Sequence, residues 1–485
     1  MSESPTPAPA PVYHLTRAEL PVFPWVGLAS AIIGTMLAYM LIPGDIFKLG
    51  ALFPSAVVMS VALLLPVGVA FWRNSKAILR VEHMVCFGII YWLFLDLLQN
   101  AYAMSNVSEE GVTGAFIAVG LFMIGFWLSN LVPPFPLPRM LVRSTYIPMD
   151  ADRTFQLSIV FFLLGMFNYW YASDFDFERM FKALLVNRWL APWARSAYGG
   201  WWSFRDHMQY FGYVLPTLTA VIILRRGLFH PQTFVSLLMS VTIVAFLAQT
   251  GGRRLVGVTV GAAILFWMIA SPKLNFRRIL VAGSLFAGLL FFMQIILEYR
   301  DTGFIRYFYE DELTMKRSHV HVDDNILRLA QTIDLIPAQF PYVGAQRVVY
   351  TLVRPIPRAL WEDKPTDPGF DLAKALAEPG VQIQYTTSVI GDWYMMYGFM
   401  TVFLGGLIYG RLSSMWSGLA TINDEIVAKF LYALGAMAIF ASLRNLDELV
   451  LQSYTILAWF VVSAMLAKRI PKELASELDR STGAK

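Results

Sequence analysis

Hydrophobic positions along this 485-residue chain gather into runs of about twenty, parted by short polar segments and by one long one. A bilayer core takes about 20 mostly apolar residues per helix. By that measure the pattern predicts spans near 22–42, 50–72, 84–101, 111–131, 155–172, 207–224, 231–249, 254–270, 279–298, 387–410, 427–443 and 449–466, about twelve in all. The expected class is an all-α polytopic integral membrane protein. It divides into a disordered cytoplasmic tail at 1–18, a bundle of about nine helices at 19–298, a loop at 299–386, about three more helices at 387–467 and a cytoplasmic tail at 468–485. There is no internal repeat.

The loop from Tyr299 to Thr386 is the longest polar stretch between two hydrophobic runs. Asp323-Asp324-Asn325 predicts a cap for a short helix through Ile336, with apolar positions at Ile326, Leu329, Ala330 and Ile333 and a stop at Pro337. Pro355 and Pro357 forbid a regular helix around them, and Asp367-Pro-Gly predicts a turn. A second short helix is expected from Asp371 to Glu378, ended by Pro379-Gly380. The loop therefore reads as a small ordered cap lying on the bundle.

Composition sharpens the class. Hydrophobic residues make up 57% of the chain and charged residues 15%, against about 25% charged in a soluble domain, so a water-soluble fold lacks the polar surface to cover itself. The net charge of +4 sits mostly in short loops, which makes it a topology signal; no nucleic-acid motif is present. The single cysteine, Cys86, excludes an intrachain disulfide and a cysteine metal cluster. The N-terminal MSESPTPAPAP is acidic and proline-rich where a secretory signal is basic, so the first hydrophobic run is expected to be an uncleaved anchor.

Lysine and arginine resist translocation, and they concentrate in alternate loops. One set holds Arg73, Lys76 and Arg80; Arg139, Arg143 and Arg153; Arg225 and Arg226; Lys273, Arg277 and Arg278; Arg411; and Lys468, Arg469 and Lys472. In the other set, at 44–50, 105–111 and 444–448, acids match or outnumber bases. Both termini are thus expected in the cytoplasm, with 173–206, 251–254 and 299–386 outside. The long loop exceeds the roughly 60 residues over which positive charge controls orientation. Arg253 and Arg254 run against the rule.

Four groups of residues carry candidate chemistry. Arg253 and Arg254, following Gly251-Gly252 at a helix start, either cradle a phosphate or diphosphate together with freed backbone amides, or snorkel to lipid headgroups. Prolines around Arg354, Arg358 and Lys364 either present three cations rigidly to an anion or belong to a solvated loop anchored by Trp361. His319, His321, Asp323 and Asp324 supply a general base, or they cap a helix; their spacing is not a standard metal set. Asp96, within a predicted span, is expected to pair with an arginine of the outer face, in a structural or a catalytic role, and Asp392 is a similar case facing the long loop.

About a dozen spans, a large late loop, Arg354-Pro-Ile-Pro-Arg-Ala-Leu-Trp-Glu-Asp-Lys-Pro365 and Ser388-Val-Ile-Gly-Asp-Trp-Tyr with Tyr397-Gly-Phe resemble the bacterial O-antigen and exopolysaccharide repeat-unit polymerases, the Wzy-type family. The motif-level likeness covers roughly residues 240–410 and the rest by topology only. The related O-antigen ligases share the architecture, but their histidine-containing loop motif is not evident here. The resemblance implies a GT-C-like bundle in the bacterial inner membrane with an ordered periplasmic loop. It implies transfer of a growing glycan from a polyprenyl diphosphate to the next lipid-linked repeat unit, with no cofactor. His321, Asp323 and Asp324 are then the candidate bases. Arg253, Arg254, Arg300, Arg354, Arg358 and Lys364 are candidate diphosphate contacts, and Trp361 and Trp393 are candidate sugar-stacking residues. A chain-length regulator and a flippase are candidate partners. The competing classes are a ligase for a lipid A core and a transporter of lipid-linked sugars; a transporter calls for midplane charges and repeat symmetry.

Overall fold

The computed structural model describes residues 20–145, 147, 149–194, 202–300, 302–304, 319–354, 356, 358, 360–365, 367–376, 385–421 and 426–466. Among these residues every regular element is helical. Eight helices are long and apolar enough to cross a membrane. They are α2 (Phe53–Arg73), α3 (Val81–Leu98), α4 (Glu109–Ser129), α5 (Ala151–Ala172), α6 (Arg205–Arg226), α7 (Pro231–Gln249), α8 (Arg253–Ala270) and α9 (Phe276–Tyr299). Two shorter apolar helices are α1 (Pro24–Met40) and α14 (Ile426–Ser442). The remaining principal helices are α10 (Asn325–Leu335), α11 (Gln346–Val353), α12 (Ser388–Tyr397), α13 (Phe399–Ser417) and α15 (Asp447–Leu466). The chain is a polytopic, all-helical, membrane-type protein.

The centre of the bundle is the pair α4 and α13. Gly406 faces the Phe122 carbonyl so closely that a Cβ there would sit 2.0 Å from its oxygen, and Gly125 meets the Phe403 carbonyl in the same way. Small residues let two apolar helices approach backbone to backbone, the main source of helix attraction in lipid. α9 lies at the periphery. Only 28% of its apolar window is buried, and its packing is chiefly against α8.

Two predicted spans are broken. The run at 387–410 is two helices, because Gly398 takes a left-handed φ of +73° that α12 cannot continue through. Thr401 Oγ1 donates to the Trp393 carbonyl at 2.6 Å beside the break. α6 is interrupted near Met208 and again at Tyr213–Val214 before it runs regularly from Leu215.

In the long loop, α10 starts after Asp324, within the predicted cap, and ends at Leu335, one residue short of the predicted Ile336. Asp324 sits at the N-cap with a left-handed φ of 51° and makes no side-chain capping bond. α11 was not expected. It is amphipathic in an inverted sense, burying Arg347 and Thr351 while Val349 and Leu352 stay exposed. The second short helix spans Leu372–Ala375, capped by the Asp371 carboxylate; its predicted end at Glu378 lies outside the described residues.

Candidate functional site

The site is assembled by the C-terminal half of α3, which holds residues 320–325 along one face. Trp92, Asp96 and Gln99 follow at helical spacing. Gln99 exchanges two bonds with the Val320 backbone, at 3.0 and 2.9 Å. The Asp96 carboxylate accepts the backbone N–H groups of Val322, Asp323 and Asp324 at 3.1, 3.3 and 3.2 Å. Residues 90–94 form a π-helical turn, and the Trp92 carbonyl in it accepts the Asn325 side-chain amide at 2.8 Å. A π turn widens the helix and frees backbone acceptors, which is why such turns mark working sites. The expected partner of Asp96 was an arginine; its partners are amides, so the role visible here is to fix the loop.

The pinned segment closes over one end of a cavity of about 880 Å³. The polar head of this cavity is lined by Arg188, Arg253, Arg254, Arg300, Arg328 and Arg444, against two lining carboxylates, Asp323 and Asp324. Its trunk is apolar, walled by Val258, Leu265 and Met268 of α8, Phe286 and Leu289 of α9, and Phe440 of α14. From Arg253 to Met268 along α8 is about 22 Å at ~1.5 Å per residue. The trunk ends near Ile78 and Leu79, next to the turn where Ser75 Oγ donates to the Leu274 carbonyl at 2.9 Å. It is thus a slot with a cationic mouth, flanked by the loosely packed α9.

Within the head the charged groups differ in freedom. Asp323 is bound by Arg444, whose Nε lies 2.5 Å away, and Arg253 approaches to 3.7 Å. Burial pushes the Asp323 carboxyl up, but Arg444 and Arg253 outweigh it and hold it below the usual carboxylate range. Asp324 has no such clamp. Burial, reinforced by the nearby Asp96 carboxylate, lifts its carboxyl to about 6. The His321 ring stands 3.9 Å from it. Arg253 is spent on the loop, donating to the His321 and Val322 carbonyls at 2.7 and 3.0 Å. Arg254 reaches Glu448 at 3.0 Å, while its Nε is buried without a partner. Gln294 receives the His321 N–H, and its own Nε2 is a buried, unpartnered donor in the cavity wall.

Asp96, His321 and Asp324 bring possible ligand atoms within 4.8 Å of one another. The donor set fits a cation poorly. Both Asp96 oxygens already accept amides, and Arg328 lies close enough to Asp324 to act on its charge.

Of the sequence candidates, Arg253, Arg254, Arg300, His321, Asp323 and Asp324 meet at this cavity. Arg354, Arg358 and Lys364 do not line it. Arg354 is drawn to Asp447, and Lys364 closes the intervening turn by donating to the Arg354 and Ile356 carbonyls at 2.9 and 2.8 Å. Trp361 is on the surface, 39% exposed, and Trp393 is packed against Gly405, so neither indole faces the cavity. Asp392 accepts from Arg347 and from the Leu446 N–H, facing the long loop as expected. Sequence reasoning missed Arg444 and the Arg328–Tyr385 pair, where the guanidinium stands 3.7 Å over the ring, and gave Arg188 little weight. Arg444 had hidden in a short turn that reads as acidic.

A family model described as Domain of unknown function (DUF8712) matches residues 324–446, from Asp324 through the turn that carries Arg444. No curated protein and no solved structure matches the chain.

Proposed function

We propose that this protein is a membrane glycosyltransferase that polymerises polyprenyl-diphosphate-linked oligosaccharide repeat units into O-antigen or exopolysaccharide at the periplasmic face of the bacterial inner membrane. In this reading it has about twelve spans, its long loop is periplasmic and both termini are cytoplasmic. The observation that carries the proposal is the cavity, where six guanidiniums crown an apolar slot along α8 and α9. A lipid with a multiply charged head matches both halves of it: guanidiniums bind diphosphate oxygens in pairs, and the slot takes the first part of the chain.

The chemistry follows from the freedom of each group. A hydroxyl oxygen of the acceptor sugar attacks the anomeric carbon of the donor. The bond from that carbon to the diphosphate oxygen breaks with its electron pair, and the hydroxyl proton passes to Asp324. Asp324 suits the base because burial and the Asp96 carboxylate raise its pKa toward neutrality against the pull of Arg328. Asp323 is tied to Arg444 and orders the loop. Arg254, Arg300 and the Gln294 amide are placed to stabilise the charge that grows on the leaving diphosphate.

One observation favours a transporter of the same lipid: the trunk reaches Ile78 and Leu79, far from the arginines. Elongation by purified protein separates the readings. In nanodiscs with lipid-linked repeat units a ladder of longer glycans is expected, in chelator as well as without it. Arg254→Ala should slow it about a hundredfold and Arg254→Lys less, since lysine keeps the charge and loses the fork. Wild-type protein that moves the lipid between leaflets but never lengthens the glycan overturns the polymerase.

A further inference from the structure

A second polar cluster lies behind the arginine wall, between the broken half of α6 and the first turns of α15. Tyr210 packs on Tyr213 at 5.0 Å and on Tyr454 at 4.9 Å between ring centroids, and His207 meets Tyr454 at 5.1 Å. Gln452 donates to Glu448 at 3.1 Å, and Glu448 holds Arg254. Four polar atoms here are buried with no partner: the hydroxyls of Tyr213 and Tyr454, Oε1 of Gln452 and Nε of Arg254. Tyr213 and Gln452 are 2% and 1% exposed.

Some polar groups between these helices bond each other, as Thr219 and Ser240 do at 2.8 Å between α6 and α7, and others, such as the Thr217 and Ser236 hydroxyls, stand singly without a partner. This cluster gathers several unsatisfied donors and an acceptor in one place, each costly when buried. It also sits where α6 is interrupted twice, and irregular backbone in a span is tolerated where it borders a polar cavity or its contents. Tyrosines offering a ring face and a hydroxyl, beside an amide and a carboxylate, are the chemistry that recognises a sugar, whose ring has apolar C–H faces and hydroxyls that both donate and accept.

We propose that the tyrosine cluster between α6 and α15 is a glycan subsite that binds a sugar of the lipid-linked oligosaccharide. Arg254 forms the wall it shares with the diphosphate cavity, so that one residue touches both parts of the substrate. This rests on the lipid-linked glycan reading above and adds the place where the glycan is held.

The test compares two probes on full-length protein in nanodiscs: polyprenyl diphosphate without sugar, and the same lipid bearing an oligosaccharide. Tyr213→Phe and Tyr454→Phe remove only hydroxyls that the free protein leaves unbonded, so thermal stability should hold or rise. Both variants should bind the sugar-free lipid as wild type does and the sugar-bearing lipid about tenfold more weakly, the worth of one hydrogen bond lost to a ligand. Unchanged affinity for the sugar-bearing lipid overturns the subsite and assigns these hydroxyls to buried water. An equal loss for both lipids overturns it as well, because the cluster then serves the fold or the diphosphate. Wild-type protein that binds neither lipid overturns the subsite together with the proposed function, whereas binding of the sugar-free lipid alone overturns the subsite and leaves the anionic-lipid cavity standing.

Discussion

Two groups of buried charge meet at the turn 443–447, and they are built in opposite ways. Arg347 and Arg354 face Asp392 and Asp447, two cations for two anions, and every contact is made. Arg347 lies 3.0 Å from Asp392 and 2.9 Å from Asp447, Thr351 donates to Asp447 at 2.7 Å, and the Leu446 N–H closes Asp392 at 2.6 Å. The cavity beside it is lined by six arginines and two carboxylates; Asp323 holds Arg444 and Arg253, Glu448 holds Arg254, and Arg254 Nε and Gln294 Nε2 are left over. A balanced, saturated network ties α11 to α12 and α15 and asks for nothing more. Cations gathered so closely repel each other, and an anion reaching Arg254 Nε and Gln294 Nε2 would ease that repulsion and satisfy both donors. The same residue type thus closes a network in one place and leaves donors open in the other, and the proposed diphosphate site uses those open donors.

The lock is where the largest effect on the fold is expected. Arg347→Ala leaves Asp392 buried without its cation and takes one of two from Asp447, and should destabilise the protein by about 3–5 kcal/mol. Replacing Arg347, Asp392 and Asp447 together by apolar residues of similar size should recover most of that, since the charges were desolvated at a cost from the start. Thermal unfolding in nanodiscs measures both. An Arg347→Ala protein that melts normally yet no longer binds the lipid diphosphate would break the comparison by making the lock part of the site.

The cavity is tested by Asp324, with the next largest effect. Asp324→Asn should slow elongation about a thousandfold, within the range usual for a lost general base. A carboxyl whose pKa is raised on folding binds more protons in the native than in the unfolded state between about 4 and 6, so its contribution to stability falls as pH rises through that window. The asparagine variant should therefore be no less stable than wild type above pH 6. The base must be ionised to act, so the wild-type rate should fall as pH drops below about 6 and stay level above it, and the variant's residual rate should lack that inflection. An inflection that survives in Asp324→Asn transfers the base to another group.

The sequence shows one of these regions better than the other, for a physical reason. Arg253 and Arg254 were legible because they break a local rule, cations at a helix N-terminus, and Asp323 and Asp324 because they follow one, acids at a helix start beside two histidines. Their roles were not. That Asp323 is clamped and Asp324 is free depends on Arg444, 121 residues away in the chain, and no spacing encodes it. Asp96 was legible as a costly carboxylate in a span, but its partners are backbone amides, which every residue possesses and which therefore leave no mark in the pattern. The breaks at Gly398 and near Met208 hid inside runs that hydropathy reads as continuous, because hydropathy measures apolar content and is blind to φ. The proline-bracketed arginines drew attention for their rigidity. Rigidity holds a side chain wherever it points, and Arg354 points at Asp447.

The smallest expected effect belongs to Arg358, and it sharpens the comparison from the other side. The sequence presents Arg358 as a partner of Arg253 and Arg254, fixed by flanking prolines and reaching for the same anion. The cavity wall contains Arg253 and Arg254 and not Arg358, and the neighbouring cations of its segment are already engaged, Arg354 with Asp447 and Lys364 with two carbonyls. Arg358 belongs to neither the saturated lock nor the cationic mouth. A surface substitution away from such features changes stability by no more than about 0.5 kcal/mol, close to a factor of two in an equilibrium. Arg358→Ala should therefore alter elongation rate and lipid diphosphate affinity by less than about twofold, where Arg254→Ala costs about a hundredfold. The two variants are compared in one preparation, with thermal unfolding run alongside. A loss at Arg358 equal to that at Arg254, in a protein that melts normally, would mean that the segment from Arg354 to Lys364 swings over the mouth when the lipid is bound, and the boundary drawn between the two regions would then have to move.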